Sequence, residues 1–146
     1  MMNYAQRIQM DPNADFAQQL RRAGITPTQQ RVQMAEILFA EEQHLSADQI
    51  LKQVNQRDKY VSKATVYNTL GLFTEKGLLR EVIVDPTKVF YDSNTSEHHH
   101  FYNVDSGELT DVDSEEMLLG DLPNLPAGTI ATGVEIIIKI KSDTPS

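Results

Sequence analysis

Apolar residues recur at helical spacing in four stretches of the first half of the chain. The stretches are 16–23, 27–40, a segment that opens at residue 47, and 63–76, and we expect a helix over each. Thr26, Ser46 and Ser62 stand where N-cap residues are expected. Gln29 and Gln49 follow the first two of them as the partners of capping boxes. The glycines at 24 and 77 are placed to end helices.

The residues that follow these helices are typical of a β-hairpin. Leu78 to Val84 and Val89 to Tyr91 are rich in β-branched and apolar side chains, and the turn sequence 85–88 separates them. Helices followed at once by a two-stranded ribbon indicate a winged helix, in which the last helix reads bases and the ribbon contacts the DNA backbone. An ordinary surface helix with a hairpin behind it is the alternative interpretation.

The second half of the chain predicts a smaller module. Strands are expected at 101–105 and 108–112, a short helix from Asp113 to Leu119, and a long final strand from Thr129 to Lys141. The predicted fold class is α+β, with an N-terminal winged-helix DNA-binding domain and a small αβ dimerisation domain. The boundaries that we expect are 1–92 for the first domain, 93–97 for a polar linker and 98–146 for the second domain.

Three of the four histidines of the chain are consecutive, at positions 98 to 100. Side chains alternate between the two faces of a strand, so His98 and His100 are expected on one face and His99 on the other. Imidazole is the commonest metal ligand, and acidic residues flank the block on both sides. The pattern predicts a metal site, and the alternative is a solvated polar loop.

Composition narrows the classes of protein that remain. The chain has no cysteine, which excludes disulfides and Cys-ligated zinc. We find no apolar run of about 20 residues and no secretory signal, so a cytoplasmic protein without a membrane span is expected. Residues 1–80 carry a net charge of +2, whereas residues 81–146 carry −10. We therefore expect the first half to bind a polyanion and the second half to attract cations.

Together these features resemble the ferric uptake regulator family across nearly the whole chain. The resemblance is carried by four blocks: 23–31 (AGITPTQQR), 44–47 (HLSA), 64–70 (ATVYNTL) and 98–107. Within that family the chain is most similar to the iron response regulators, because 94–102 (NTSEHHHFY) has their form of the histidine motif.

The resemblance implies a homodimeric transcription regulator, typically a repressor, that binds AT-rich inverted repeats in double-stranded DNA. One divalent transition ion per chain, Mn²⁺, Fe²⁺ or Zn²⁺, is implied at a sensory site with five ligands: His44, Asp85, His98, His100 and Asp111. The residues expected to contact DNA are Arg21, Arg22, Arg31, Lys63, Thr65, Tyr67 and Asn68. Many relatives have arginine at the position of Asn68, so a different sequence preference is implied.

The chain departs from the family pattern at its other metal sites. The structural Cys₄ zinc site cannot exist, because Asn103 and Ser106 occupy two of its positions. Gly133 stands where a further C-terminal site needs a histidine. Iron response regulators are thought to sense haem, which makes His99 a candidate for haem or for a secondary metal.

We therefore expect a metal- or haem-responsive regulator of iron homeostasis, and not an enzyme. The coupling that we expect is one ion held by ligands from both domains, which would set the spacing of the two reading helices in a dimer. The alternatives are a divalent-metal-binding protein without a DNA-binding role and a metal-dependent hydrolase. A hydrolase would need an open coordination position and a general base.

Overall fold

The computed structural model of the chain describes residues 15–57, 60–113, 115, 117 and 120–143. The chain divides into two compact units, Met1–Thr95 and Ser96–Ser146. The first unit contains helices and a small sheet, and the second unit contains a sheet of its own. Within the described ranges, no helix combines the length and the apolar character that a membrane span requires.

The first unit has the order of elements that its hydrophobic pattern predicts. Its helices and strands are α1 (Phe16–Arg22), α2 (Gln29–Leu38), β1 (His44–Ser46), α3 (Ala47–Asn55), α4 (Lys63–Glu75), β2 (Arg80–Asp85) and β3 (Lys88–Asp92). Helices α2 to α4 followed by the β2–β3 hairpin form a winged helix. The predicted α+β class and the winged helix are confirmed.

Side chains at the helix starts explain two of these boundaries. The hydroxyl of Ser46 accepts from the Gln49 backbone amide at 3.2 Å, and the Gln49 side chain accepts from the Ser46 amide at 2.8 Å. This is the predicted capping box. Ser62 likewise accepts from the backbone amide of Thr65 at 3.1 Å.

The predicted start of α2 is wrong by two residues. Thr28, not Thr26, is the N-cap, because its hydroxyl accepts from the backbone amide of Arg31 at 3.3 Å. The Thr26 carbonyl instead accepts from the Arg31 guanidinium at 2.9 Å. Pro27 therefore precedes the helix, which ends at Leu38.

The core of the first unit lies where its helices meet. Leu20, Met34, Ile50, Val66 and Phe73 are completely buried, one or more from each helix. Burying a side chain of this size stabilises the fold by about 1.5–3 kcal/mol. Burial of these periodic positions therefore holds the helices of this unit together.

Strand β1 was not predicted from the sequence. It pairs antiparallel with β3 and completes a sheet of order β1-β3-β2. His44 lies opposite Asp92 and Ser46 lies opposite Phe90. Three residues are too few to display an alternating pattern, and the capping box that follows them was the stronger local signal.

The described part of the second unit is a sheet of order β5-β4-β6, built from β4 (His100–Asn103), β5 (Leu109–Asp111) and β6 (Ile137–Ile140). Strands β4 and β5 are antiparallel, as the predicted hairpin requires, and β6 runs parallel to β4. The final strand is much shorter than the predicted 129–141, because β6 pairs along only the four residues of β4. The predicted helix from Asp113 to Leu119 falls largely on residues outside the described ranges.

Substitution of one glycine within α4 and of another just after it tests where this helix ends. Gly71 lies within α4, and a Cβ there would meet no atom within 4 Å, whereas Gly77 has a φ of +78°. Gly71→Ala should raise the free energy of unfolding by about 0.5–1 kcal/mol, because alanine loses less entropy in a helix. Gly77→Ala should lower it by about 1–2 kcal/mol, because L-residues disfavour positive φ. Urea denaturation measures both changes, and equal signs would contradict the assigned helix end.

Candidate metal centre and nucleic-acid surface

Two imidazoles and a carboxylate converge in the second unit. Asp111 on β5 lies opposite His100 on β4. Oδ1 of Asp111 is 3.4 Å from Nε2 of His100 and 3.3 Å from Nε2 of His98. The two rings are 4.5 Å apart between centroids, and the histidines are only 0% and 8% exposed. Three of the five predicted ligands therefore lie together.

The hydrogen bond that His98 makes to the backbone determines which of its two ring nitrogens carries the proton. Nδ1 lies 2.7 Å from the carbonyl oxygen of Ser96, which can only accept, so Nδ1 carries the proton of the neutral ring. Nε2 then offers its lone pair toward the Asp111 carboxylate. Two lone pairs at this distance repel each other unless a proton or another cation lies between them. The donor set therefore fits a divalent transition ion.

His99 precedes β4, which begins at His100, and makes a hydrogen bond different from those of its neighbours. Its Nδ1 accepts a hydrogen bond from the Ile136 backbone amide at 3.0 Å. The neutral ring must then carry its proton on Nε2, which makes that atom a donor and not a ligand. This bond argues against His99 as a ligand for haem or for a secondary metal.

An open cavity adjoins His98 and His99 in the second unit. Its volume is about 440 Å³, and Glu97, Val112 and Asp113 also contribute to its walls. The cavity thus offers both imidazole and carboxylate groups to an occupant.

In the first unit, His44 and Asp92 form a second cluster of metal-type ligands. They lie opposite each other in the β1–β3 ladder, and one ligand atom of each lies within 4.8 Å of the other. Asp92 is only 1% exposed, and its Oδ1 accepts from the Asn94 amide at 2.8 Å. Burying a carboxylate is costly unless hydrogen bonds or cations compensate it. This pair also suits a cation.

Tyr91 is the immediate neighbour of this pair in the sheet. Burial raises the pKa of the Tyr91 hydroxyl above its usual value, and the nearby Glu81 carboxylate raises it further. Tyr91 therefore stays neutral and donates a hydrogen bond to Glu81, so it adds no negative charge beside Asp92.

The structure does not bring Asp85 to the other predicted ligands of its unit. His44 lies in the row of Asp92 and Arg80, whereas Asp85 lies at the other end of β2 opposite Lys88. Five strand residues separate the two ends, about 16 Å at 3.3 Å per residue. Oδ1 of Asp85 instead accepts from the amide and hydroxyl of Thr87 at 2.8 and 2.7 Å. Asp85 stabilises the hairpin turn, and the carboxylate that lies opposite His44 is that of Asp92.

Sequence reasoning missed two carboxylates that the structure places at these clusters. Asp92 was one of several acids that flank the histidines, and only its pairing with β1 distinguishes it. Glu135 has an oxygen 3.9 Å from Nδ1 of His100. This distance is longer than a hydrogen bond, so Glu135 acts on His100 through its charge. No local signal marks Glu135, because 35 residues of sequence separate it from His100.

The predicted DNA-contacting residues lie at the surface of the first unit. Lys63, Tyr67 and Asn68 are exposed on α4, and the Lys63 ammonium lies 5.7 Å from the Tyr67 ring centroid. Arg21 and Arg22 are exposed in the last turn of α1. Thr69, the next residue of α4, is only 4% exposed.

A cleft lies between the start of α2 and the exposed face of α4. Its volume is about 370 Å³, and its walls include Thr28 and Arg31 from the start of α2 and Thr65 and Asn68 from α4. Arg31 is half-buried there, and its guanidinium bond to the Thr26 carbonyl fixes its direction. Helix amides, hydroxyls and a guanidinium group are typical contacts of DNA phosphates.

A winged helix followed by a unit with clustered histidines and carboxylates defines a class of DNA-binding proteins with a metal-type site. The model of the ferric uptake regulator family matches residues 22–120, and the chain belongs to this family. Its members are transcription regulators, so the chain is a regulator and not an enzyme. The alternatives of a metal-dependent hydrolase and of a metal-binding protein without a DNA-binding role are therefore wrong.

Curated relatives and solved structures agree with this assignment. The ferric uptake regulation protein of Brucella abortus biovar 1 (strain 9-941) is 31% identical over 104 residues, which is 70% of this chain and 74% of that protein. The peroxide-responsive repressor PerR of Staphylococcus epidermidis (strain ATCC 12228 / FDA PCI 1200) is 30% identical over 92 residues, 63% of this chain and 61% of that protein.

Among solved structures, the ferric uptake regulator from Pseudomonas aeruginosa with manganese has a TM-score of 0.66 and 24% identity. It covers 90% of this chain and 100% of its own. The Vibrio cholerae ferric uptake regulator has a TM-score of 0.67 and 22% identity, with coverage of 88% and 100%. At these identities the two structures support the fold.

Adjacent histidines allow a matched test of the second-unit cluster. His98→Ala should lower the affinity for Mn²⁺ by more than about 100-fold, because loss of a supporting group alone costs about 10–100-fold. His99→Ala should leave Mn²⁺ affinity unchanged and lower the free energy of unfolding by about 1 kcal/mol, through loss of the Ile136 bond. Titration calorimetry and urea denaturation measure these effects, and equal losses of Mn²⁺ affinity would contradict the assigned faces.

Proposed function

We propose that this protein regulates the transcription of iron-homeostasis genes in response to one divalent transition ion per chain, Mn²⁺, Fe²⁺ or Zn²⁺. The observation that supports this most strongly is the convergence of His98 and His100 on Asp111, with Nε2 of both rings within 3.4 Å of one carboxylate oxygen. The Pseudomonas aeruginosa relative was solved with manganese, which agrees with such a ligand set.

His98, His100 and Asp111 are the ligands proposed for the ion in the second unit. His44 and Asp92 are the ligands proposed in the first unit, with Asp92 in place of Asp85. When bound, the ion would supply positive charge to lone pairs that otherwise repel each other. That a single ion is shared by residues of both units stays a prediction of the sequence.

For DNA recognition we propose a division between reading and positioning residues. Lys63, Tyr67 and Asn68 are exposed on α4 and are suited to base edges in the major groove. Arg21, Arg22 and Arg31 are suited to phosphates, which carry affinity but no sequence information. AT-rich inverted repeats are the proposed operators, and repression is the proposed effect.

A homodimer is part of the proposal, because an inverted repeat presents two equal half-sites to a symmetric protein. Strand β6 lies at one edge of its sheet, with isoleucines at 137 and 138 only half-buried. An edge of this kind suits association with a second copy. Sedimentation of the chelated protein as a folded monomer would contradict a dimer that persists without metal. A cytoplasmic location belongs to the same proposal.

Haem is a second candidate signal. Its support is the resemblance to iron response regulators and the open cavity beside His98 and His99. The bond from the Ile136 amide to His99 disfavours that histidine as an axial ligand. A haem titration followed by the Soret band tests this, and an unchanged spectrum in the presence of protein would remove haem from the proposal.

Substitutions of Asp92, the proposed ligand in the first unit, and of Asp85, the ligand expected from the sequence, distinguish the two assignments. Asp92→Ala should weaken Mn²⁺ binding by at least about tenfold, the lower end of the cost for groups that only support a ligand. Asp85→Ala should leave Mn²⁺ affinity unchanged and lower the free energy of unfolding by about 1 kcal/mol, because its turn bonds are lost. Titration calorimetry measures the Mn²⁺ affinity of both variants. An Asp85→Ala variant that binds Mn²⁺ as poorly as Asp92→Ala would support Asp85 as a metal ligand.

Asn68 on α4 and Arg31 on α2 should differ in how they affect DNA binding. Asn68→Ala should cost roughly 1–3 kcal/mol on an AT-rich inverted repeat and little on random DNA, because a base contact is lost. Arg31→Ala should weaken binding to both DNAs and lower the salt slope by about 1, because a phosphate contact is lost. Fluorescence anisotropy at several salt concentrations measures both, and equal losses for Asn68→Ala on the two DNAs would exclude α4 as the reader.

A further inference from the structure

The side chain of Gln43 joins the end of α2 to the strand that carries His44. Its Nε2 donates to the Ile37 carbonyl at 2.6 Å and lies 3.4 Å from the Leu38 carbonyl. Both carbonyls belong to the last turn of α2, where helix carbonyls lack partners within the helix. Gln43 is therefore a side-chain cap on the C-terminal end of α2.

The backbone of Gln43 is bonded to Ser93 on both sides. Its amide donates to the Ser93 hydroxyl at 3.0 Å, and its carbonyl accepts from the Ser93 amide at 3.0 Å. Ser93 is only 1% exposed, so water does not compete freely for these bonds. Gln43 precedes His44 and Ser93 follows Asp92, so these bonds extend the β1–β3 ladder by one residue beyond the ligand pair.

The other end of α2 opens onto the cleft that faces α4. Thr28 and Arg31 lie there, opposite Thr65 and Asn68. Helix α2 has ten residues and is therefore about 15 Å long, at 1.5 Å per residue. A shift or rotation at one end of so short a helix moves the other end as well.

We infer that Gln43 is a positioning residue that transmits metal binding at His44 and Asp92 to α2 and so to the DNA-facing cleft. The inference rests on the proposed function, since it requires an ion at this pair. The ion favours whichever spacing of His44 and Asp92 suits its coordination, and a ligand shifts an equilibrium only through such a preference. The Gln43–Ser93 bonds carry that spacing to α2.

The test is the change in DNA affinity that Mn²⁺ causes, measured on the full chain by fluorescence anisotropy with and without the ion. Couplings between two sites typically reach about 5–150-fold. Gln43→Met keeps the length of the side chain and removes its amide donor. The variant should lose most of the Mn²⁺-dependent change in DNA affinity, while Mn²⁺ affinity and metal-free DNA affinity stay close to those of the parent. Because coupling is reciprocal, the effect of DNA on Mn²⁺ affinity should shrink by the same factor.

Gln33→Met is the matched control. Gln33 also lies on α2 and also donates its side-chain amide to a backbone carbonyl, that of Val54 on α3, at 3.3 Å. It is not bonded to the His44–Asp92 ladder, so the control should keep the full Mn²⁺ effect. Equal loss of coupling in both variants would overturn the inference, because any weakening of α2 would then be sufficient.

Ser93→Ala is a second variant, which removes the hydroxyl from the other side of the connection. It should also reduce the Mn²⁺ effect on DNA affinity, and it provides the test if Gln43→Met does not fold. Full coupling in a folded Gln43→Met or Ser93→Ala variant that still binds Mn²⁺ would refute the role of Gln43. A parent protein whose DNA affinity does not respond to Mn²⁺ would instead refute the proposed function, and the two failures are thereby distinguished.

Discussion

Buried histidine and aspartate side chains require charge compensation in both units of this structure. Asp92 and His100 are almost completely inaccessible to water, and a buried carboxylate or imidazolium is unfavourable without a partner of opposite charge. Nε2 of His98 and Nε2 of His100 face Asp111 in the second unit, and a histidine lies opposite Asp92 in the first. A bound cation would compensate the negative charge in each set.

Strand pairing contributes to both sets of proposed ligands. The rings of His98 and His100 lie together before and at the start of β4, whereas His99 between them accepts from the Ile136 amide. Antiparallel pairing then brings Asp111 opposite His100, and a second antiparallel pairing brings Asp92 opposite His44. The two sheets are short, so a shift in register of one residue would separate every one of these pairs.

The first unit combines a rigid part with a part that can respond. Its helices are held by completely buried side chains such as Met34 and Phe73, and such close packing resists gradual deformation. Gln43 is joined to α2 by hydrogen bonds at the end of the helix. Rearranging these bonds costs far less free energy than repacking the core. A change of ligand spacing would therefore reach α2 through these bonds and move the helix together with the buried side chains that it contributes to the core.

The sequence by itself determined the local elements and the chemistry of the histidine block. Helical periodicity, the caps at Ser46 and Ser62 and the turn at 85–88 are short-range signals, and the alternation within 98–100 follows from strand geometry alone. The tertiary structure determines what depends on pairing between distant segments: the three-residue β1, the short β6 and the position of Asp92, rather than Asp85, opposite His44. It also decided the positions of Glu135 beside His100 and of Gln43 beneath α2. Such contacts join residues with no periodic or turn signal of their own, so only the folded chain selects them.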